Sequence, residues 1–263
     1  RMKIRYLLII WFLFLSIGLS KNEYNLDSLV NIESVIWKEK FSNENISGTV
    51  FKIYEGKKIT LGELTNSKKV GVWEDWYGNG VAKSKVTYIN GLSTGLATEW
   101  HGNGNKLSEG TYVLGHRIGV WNYWYENGVK SVEANYNKIL QGKYKDWHDN
   151  GEKRIECHYI QGKIHGTWNS WYSNGNKESM GLYKKGQKES EWFYWHDNGQ
   201  KSSEENYLGG KRDGFLKSWF RNGNKKYEGG FIDTIKYGLH LSWYDNGNFQ
   251  TEGLFKNGLR EGL

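Results

Sequence analysis

The sequence predicts an all-β chain: tandem antiparallel β-hairpin repeats of about 24 residues that form one elongated, twisted meander sheet. Three observations predict it. A tryptophan returns at a fixed interval through most of the chain, and an Asn-Gly pair follows it three positions later each time. Large amphipathic rings dominate the apolar content, which suits pleated, half-buried surfaces. Glycine occurs 34 times and proline never. Many tight turns and no residue that breaks a hydrogen-bonded ladder fit that combination.

Residues 71–261 divide into eight blocks that begin at Gly71, Gly95, Gly119, Gly142, Gly166, Ser190, Gly214 and Gly238, at a spacing of 24 with one interval of 23. Such self-similarity marks a repeat architecture. The sixth position is Trp throughout: Trp76, Trp100, Trp124, Trp147, Trp171, Trp195, Trp219 and Trp243. Asn-Gly follows in every block, as in Asn79-Gly80, Asn127-Gly128, Asn174-Gly175 and Asn222-Gly223. Lysine stands two residues after that glycine in six blocks, and glutamate three residues further on in six. An aromatic closes each block: Tyr88, Tyr112, Tyr136, Tyr159, Tyr183, Tyr207, Phe231 and Phe255.

Asn-Gly between aromatic runs is a strong hairpin signal, because both central positions of a type I′ turn favour positive φ. A second turn lies about eleven residues on, as in Asn90-Gly91 and Asn257-Gly258. Two turns per block make two strands per block, so sixteen to eighteen antiparallel strands are expected. A two-residue turn would set Tyr136 opposite Gly119. A three-residue turn with a bulge would shift that pairing by one. Lys130 and Glu133, three apart, should lie on opposite faces of a regular strand.

The flanks differ. Residues 48–70 form a degenerate first repeat, as terminal repeats often are. Residues 21–47 do not match the repeat. They are expected to supply a cap, with Val35, Ile36 and Trp37 as its buried residues. Residues 1–20 read as a signal peptide: Lys3 and Arg5, then an apolar run from Tyr6 to Leu15, then small residues. That run is short for a spanning helix. Export to the periplasm, cell surface or medium is expected, with membrane attachment only through an uncleaved signal. The chain carries +7, and the part after residue 20 carries +4. That excess is mild and shows no basic run suited to nucleic acid.

No catalytic, metal or cofactor constellation is expected. His101, His148 and His196 replace the tyrosine after the recurrent Trp. They fall in alternate blocks, too far apart to share a metal ion. A Lys–Glu motif repeated along a chain makes a poor catalytic centre, which needs one asymmetric constellation. The single Cys157 reads as a small strand residue. Rows of aromatic rings leave cell-wall glycan binding as an alternative to a protein partner.

The pattern G-x-W-x-x-W-Y-x-N-G-x-K-x-x-E-x-x-Y over residues 48–263 resembles the bacterial variant of the MORN repeat, as in YwqK-type antitoxins of toxin–antitoxin systems. Local departures are Ala82 and Phe249 at the lysine position, Lys85 and Met180 at the glutamate position, and Ala97, Leu216 and His240 at the first tryptophan. The resemblance implies hairpin repeats, no enzyme activity, no cofactor and a protein-interaction role.

Overall fold

A computed structural model describes residues 21–261. The expected signal peptide, residues 1–20, lies outside them. The described residues form one open sheet of 21 strands plus a separate two-stranded hairpin, Leu29–Ile32 with Ile36–Glu39. From Gly48–Tyr54 to Leu259–Glu261 each strand pairs with the next in sequence, antiparallel throughout. The fold class is therefore the expected meander.

The strand number exceeds expectation for three reasons. Leu259–Glu261 adds a short strand at one edge. Lys163–Ile164 and Gly166–Trp171 are one strand interrupted at His165. Glu23–Asn25 adds a strand at the other edge, parallel to Gly48–Tyr54. A parallel pair needs a crossover, and residues 26–47 supply it. In that segment Leu29 and Ile46 are buried with Val50, Leu61, Leu64 and Trp73. Val35, Ile36 and Trp37 are only partly covered, because they sit in and beside the separate hairpin.

The Asn-Gly turn is not type I′. Asn79, Asn127 and their counterparts keep negative φ, and only the glycines are left-handed, for example Gly128 at +85°. Tyr125 N–H donates to the Val129 carbonyl, and Gly128 N–H to the Tyr125 carbonyl. This is a three-residue loop of the type I plus bulge kind. The type I′ turns occupy the opposite edge, where Asn90-Gly91, Leu114-Gly115 and Asn257-Gly258 have positive φ at both positions.

The three-residue turn nevertheless leaves Gly119 opposite Tyr136. A second bulge restores the register: Trp124 pairs with Lys130 but Tyr123 pairs with Val132, so Ser131 is extra. The same skip recurs in every block, as between Trp147↔Lys153 and Asp146↔Ile155. It also overturns the expectation for lysine and glutamate. One unpaired residue between them turns an odd spacing into a shared face, and Lys130 Nζ lies 2.6 Å from Glu133 Oε2.

The core is a row of rings on a single-layered sheet. Trp121 is 2 % exposed and Trp192 1 %. Each indole lies flat over a glycine of the preceding strand, Gly110 or Gly181, where a Cβ would overlap the ring. Neighbouring tyrosines close the sides edge-on: Tyr112 on Trp121, and Tyr183 and Tyr207 on Trp192. In two blocks where the strand beneath carries a larger side chain, the facing residue is not a ring. Val86 faces Ala97, and Glu205 faces Leu216.

Candidate functional site

Strand alternation gives the sheet two faces and two turn edges. One face carries the buried indoles and the closing tyrosines Tyr88, Tyr112, Tyr136, Tyr159, Tyr183 and Tyr207. The other carries the recurrent Trp, Lys and Glu. Trp76, Trp100, Trp124, Trp147, Trp171, Trp195, Trp219 and Trp243 are all half-buried. Six of them hold a lysine head from the preceding block over the ring: Lys106 on Trp124, Lys130 on Trp147, Lys153 on Trp171, Lys177 on Trp195, Lys201 on Trp219 and Lys225 on Trp243, at 4.9–5.9 Å from the centroid. Trp100 has none because Ala82 stands at the preceding lysine position. Five of these lysines, all but Lys177, pair with Glu109, Glu133, Glu156, Glu204 and Glu228. Hydrogen bonding from Lys130 and Lys153 holds the Glu133 and Glu156 carboxyls below the usual carboxylate range.

The Asn-Gly edge is a ladder that joins block to block. Each asparagine accepts from a backbone N–H within its own turn, as Asn127 Oδ1 does from Val129. Its amide nitrogen then donates to the next block's turn: Asn79 to Gly102 at 2.8 Å, Asn127 to Asp149 at 2.8 Å, Asn174 to Asp197 at 2.7 Å and Asn222 to Asp245 at 2.6 Å. The ring after the recurrent Trp runs a second ladder. Tyr77 Oη, His101 Nε2, Tyr125 Oη, His148 Nε2, Tyr172 Oη and His196 Nε2 each bond the carbonyl of the next block's Trp at 2.8–3.0 Å. Histidine can stand in for tyrosine there because both are flat rings with a polar tip. Phe220 lacks that tip, and the ladder stops. Replacing Asn174 with alanine is expected to cost about 1–2 kcal/mol, since two bonds of about 1 kcal/mol each are lost. Urea denaturation would measure it, and a change under 0.5 kcal/mol would show that water replaces the ladder.

Among the described residues, no three or more His, Cys, Asp or Glu side chains converge as a metal site. Nor, among those residues, is any helix long and apolar enough to cross a membrane. Cys157 is buried, and burial pushes its thiol up to about 12. It is an inert packing residue.

Two features escaped the sequence reading. The first is the set of cations over the buried rings. Lys69 Nζ sits 4.1 Å from the Trp73 centroid, Arg117 4.6 Å from Trp121, and Lys188 4.3 Å from Trp192. Burial lowers the Lys69 ammonium to about 8. The second is a row of exposed apolar side chains on the Trp–Lys face, toward the type I′ edge. Val72, Ile89, Leu92, Leu96, Val113 and Val120 lie on successive strands, with Leu96 61 % exposed. Lys143, Thr167 and Glu191 replace the Val72-type residue in the middle blocks, and Phe215 and Leu239 restore it near the end. The signal was in the sequence: the position after each block's first glycine is apolar in five of eight blocks.

Six segments of the chain, 69–90, 93–113, 117–138, 140–161, 164–185 and 188–208, match the family model for the MORN repeat variant. The hairpins beyond residue 208 keep the same geometry but lie outside the match. Leu216, Phe220, His240 and Phe249 depart from the pattern there. No curated protein matches the chain.

Proposed function

We propose, from the premise that this chain is built on at least six MORN repeat variants, that it is a non-enzymatic scaffold that binds a protein partner along one sheet face. The observation that carries this reading is the contiguous apolar row from Val72 to Val120. Exposed apolar surface of that extent marks interaction sites in soluble proteins. The alternative, glycan binding, needs bare ring faces for stacking. Six of the eight recurrent tryptophans are instead covered by lysine heads, so we assign contact to the apolar row.

Crosslinking with mass spectrometry of the native protein would identify the partner. The double variant Leu96→Glu, Val120→Glu is expected to weaken capture at least tenfold, roughly 1.4 kcal/mol. Its fold should be unaffected, because surface changes usually stay within about 0.5 kcal/mol. Full capture by a folded double variant would sink the proposal. The YwqK-type reading is the special case in which the partner is a toxin, and crosslinks to another class of protein would remove it. We also propose export, on the basic and apolar pattern of residues 1–20. Recovery of the protein in the cytoplasm with that segment intact would count against it.

A further inference from the structure

Both ladders of the Asn-Gly edge begin one block late. From Tyr77 to His196, each ring tip bonds the carbonyl of the next block's recurrent Trp. From Asn79 to Asn222, each amide bonds a carbonyl of the next turn. The turn after Trp76 receives neither. In the hairpin before it, Tyr54 stands at the ring position, but its Oη donates to Asp75 Oδ1 at 2.9 Å. The asparagine is missing there, and the chain closes in a two-residue turn with positive φ at Glu55 and Gly56. Among the described residues, no side chain donates to the Trp76 or Gly78 carbonyl, the counterparts of the Trp100 and Gly102 acceptors.

The strands part at the same place. Lys57–Thr65 and Lys68–Trp76 pair only at Glu63↔Val70, Leu64↔Lys69 and Thr65↔Lys68. In the next block the corresponding pairing resumes past its bulge, from Val86↔Ala97 to Ser84↔Glu99. Here it does not resume. A cavity of about 430 Å³ opens between Tyr54, Glu55, Lys57 and Ile59 on one side and residues 76–80 on the other. The turn glycines register the same gap. A Cβ added to the Asn-Gly glycine of a later block would lie within 4 Å of the preceding turn, meeting Val81 at Gly104, Asn105 at Gly128 and Asn224 at Gly247. At Gly80 it would meet open space.

The walls suit a neutral ring that carries a donor. The volume falls within the span of small-ligand sites, roughly 300–1,000 Å³. Tyr54, Ile59 and Trp76 supply apolar wall. Lys52 stands over the Tyr54 ring and Lys83 over the Tyr77 ring, but among the described residues no lysine or arginine stands over Trp76. Glu55 and Lys57 bring opposite charges, so the walls demand neither sign. What the turn lacks is donors for two carbonyls. Later blocks fill the first acceptor with a phenol or an imidazole, and the second with a primary amide. Trp100 also lacks a lysine above it, but Tyr77 and Asn79 already serve its turn.

We infer that the notch between Tyr54, Ile59 and the turn at 76–80 is a binding site for a flat ring with a donating tip, the tyrosine or histidine side chain of a partner polypeptide, with a primary amide as its second contact. The site lies at the Asn-Gly edge, whereas the apolar row lies toward the other edge. Only the source of the ring rests on the protein-partner reading. Binding of a free phenol does not, so failure of the notch to bind one and failure of the double variant at Leu96 and Val120 to lose its partner are separate results.

The test is NMR of the full chain, following the Trp76 indole N–H, assigned with Trp76→Phe, against that of Trp243 as reference. Added p-cresol should give a saturable shift at Trp76 and none at Trp243. The methyl ether of p-cresol, the same ring without its donor, should bind about fivefold more weakly, the loss of one neutral hydrogen bond. The peptide acetyl-Tyr-Glu-Asn-Gly-amide, which copies residues 125–128, should bind about fivefold more tightly than its counterpart with alanine in place of asparagine. No saturable shift with p-cresol or the peptide, equal affinity for p-cresol and its ether, or a shift with methyl glucoside alone would overturn the inference. Inserting an asparagine before Gly56 and a valine after it rebuilds the turn sequence of residues 125–130 within the chain. That variant should keep or raise its melting temperature and lose the p-cresol shift. Undiminished binding in the folded variant, or a lowered melting temperature, also overturns it.

Discussion

Replacing Trp192 with alanine is expected to lower stability by about 3–5 kcal/mol, the range for removing a large buried ring. Trp192 is 1 % exposed, its Nε1 donates to the Leu182 carbonyl at 3.1 Å, and Tyr183, Tyr194 and Tyr207 pack around it. The single-layered sheet has nothing behind it to collapse into the gap. Gly181→Ala attacks the same contact from below and is expected to cost about 1–3 kcal/mol through overpacking. The two losses should not add. With the ring gone, the alanine methyl has nothing to meet, so the double variant should be little worse than Trp192→Ala alone. Because repeats touch only their neighbours, hydrogen exchange should rise mainly in Lys177–Lys184, Gln187–Trp195 and Lys201–Leu208. Additive losses would mean that the glycine matters for a reason other than the indole.

Arg154→Leu is expected to cost about 2–4 kcal/mol. Asp146 is 2 % exposed, yet its carboxylate is held by Arg154 through Nε at 2.8 Å and Nη2 at 2.5 Å, with Tyr144 Oη at 3.2 Å. Removing one partner of a buried pair strands the other charge, which costs roughly 3–5 kcal/mol when both are fully buried. Arg154 is 46 % exposed, so water reaches the gap and the loss is somewhat smaller. Arg154→Lys should fall between, keeping the charge but not the two-pronged geometry. The next block shows the way back: Ser170 holds the place of Asp146 and bonds Ser179 Oγ at 2.7 Å without a charge. The double variant Asp146→Ser, Arg154→Leu should therefore recover most of the loss in chemical denaturation. A double variant as unstable as the single would show that the arginine stem, not the ion pair, carries the stability.

The hairpin array was legible in the sequence because it is written eight times. Any one copy of Trp-x-x-Asn-Gly is weak evidence, but a fixed interval between copies leaves little freedom for another architecture. The turn type was not legible. Asn-Gly suits both a type I′ turn and a type I turn with a left-handed glycine, and the dipeptide alone does not choose between them; nor does it announce the asparagine amide's contact with the next turn 22 or 23 residues on. The bulge at Ser131 left no local mark either, so Lys130 and Glu133 were assigned to opposite faces. Period-2 reasoning holds only while every residue has a partner. The recurrent tryptophans drew the eye because they are invariant, yet the most buried rings are Trp121 and Trp192, at a position where the type varies. Burial there follows the residue beneath, glycine or not, which belongs to another strand.

The strict succession of strands has a mechanical consequence. Tension applied between the two sheet edges runs across the strands, in line with the interstrand hydrogen bonds. Such loading peels one strand at a time instead of shearing many bonds together. Each block freed would release roughly 80 Å of chain at about 3.3–3.6 Å per residue. The ribbon would thus behave as a stepwise, low-force extensible tether, able to lose blocks from an edge while the remainder keeps its shape.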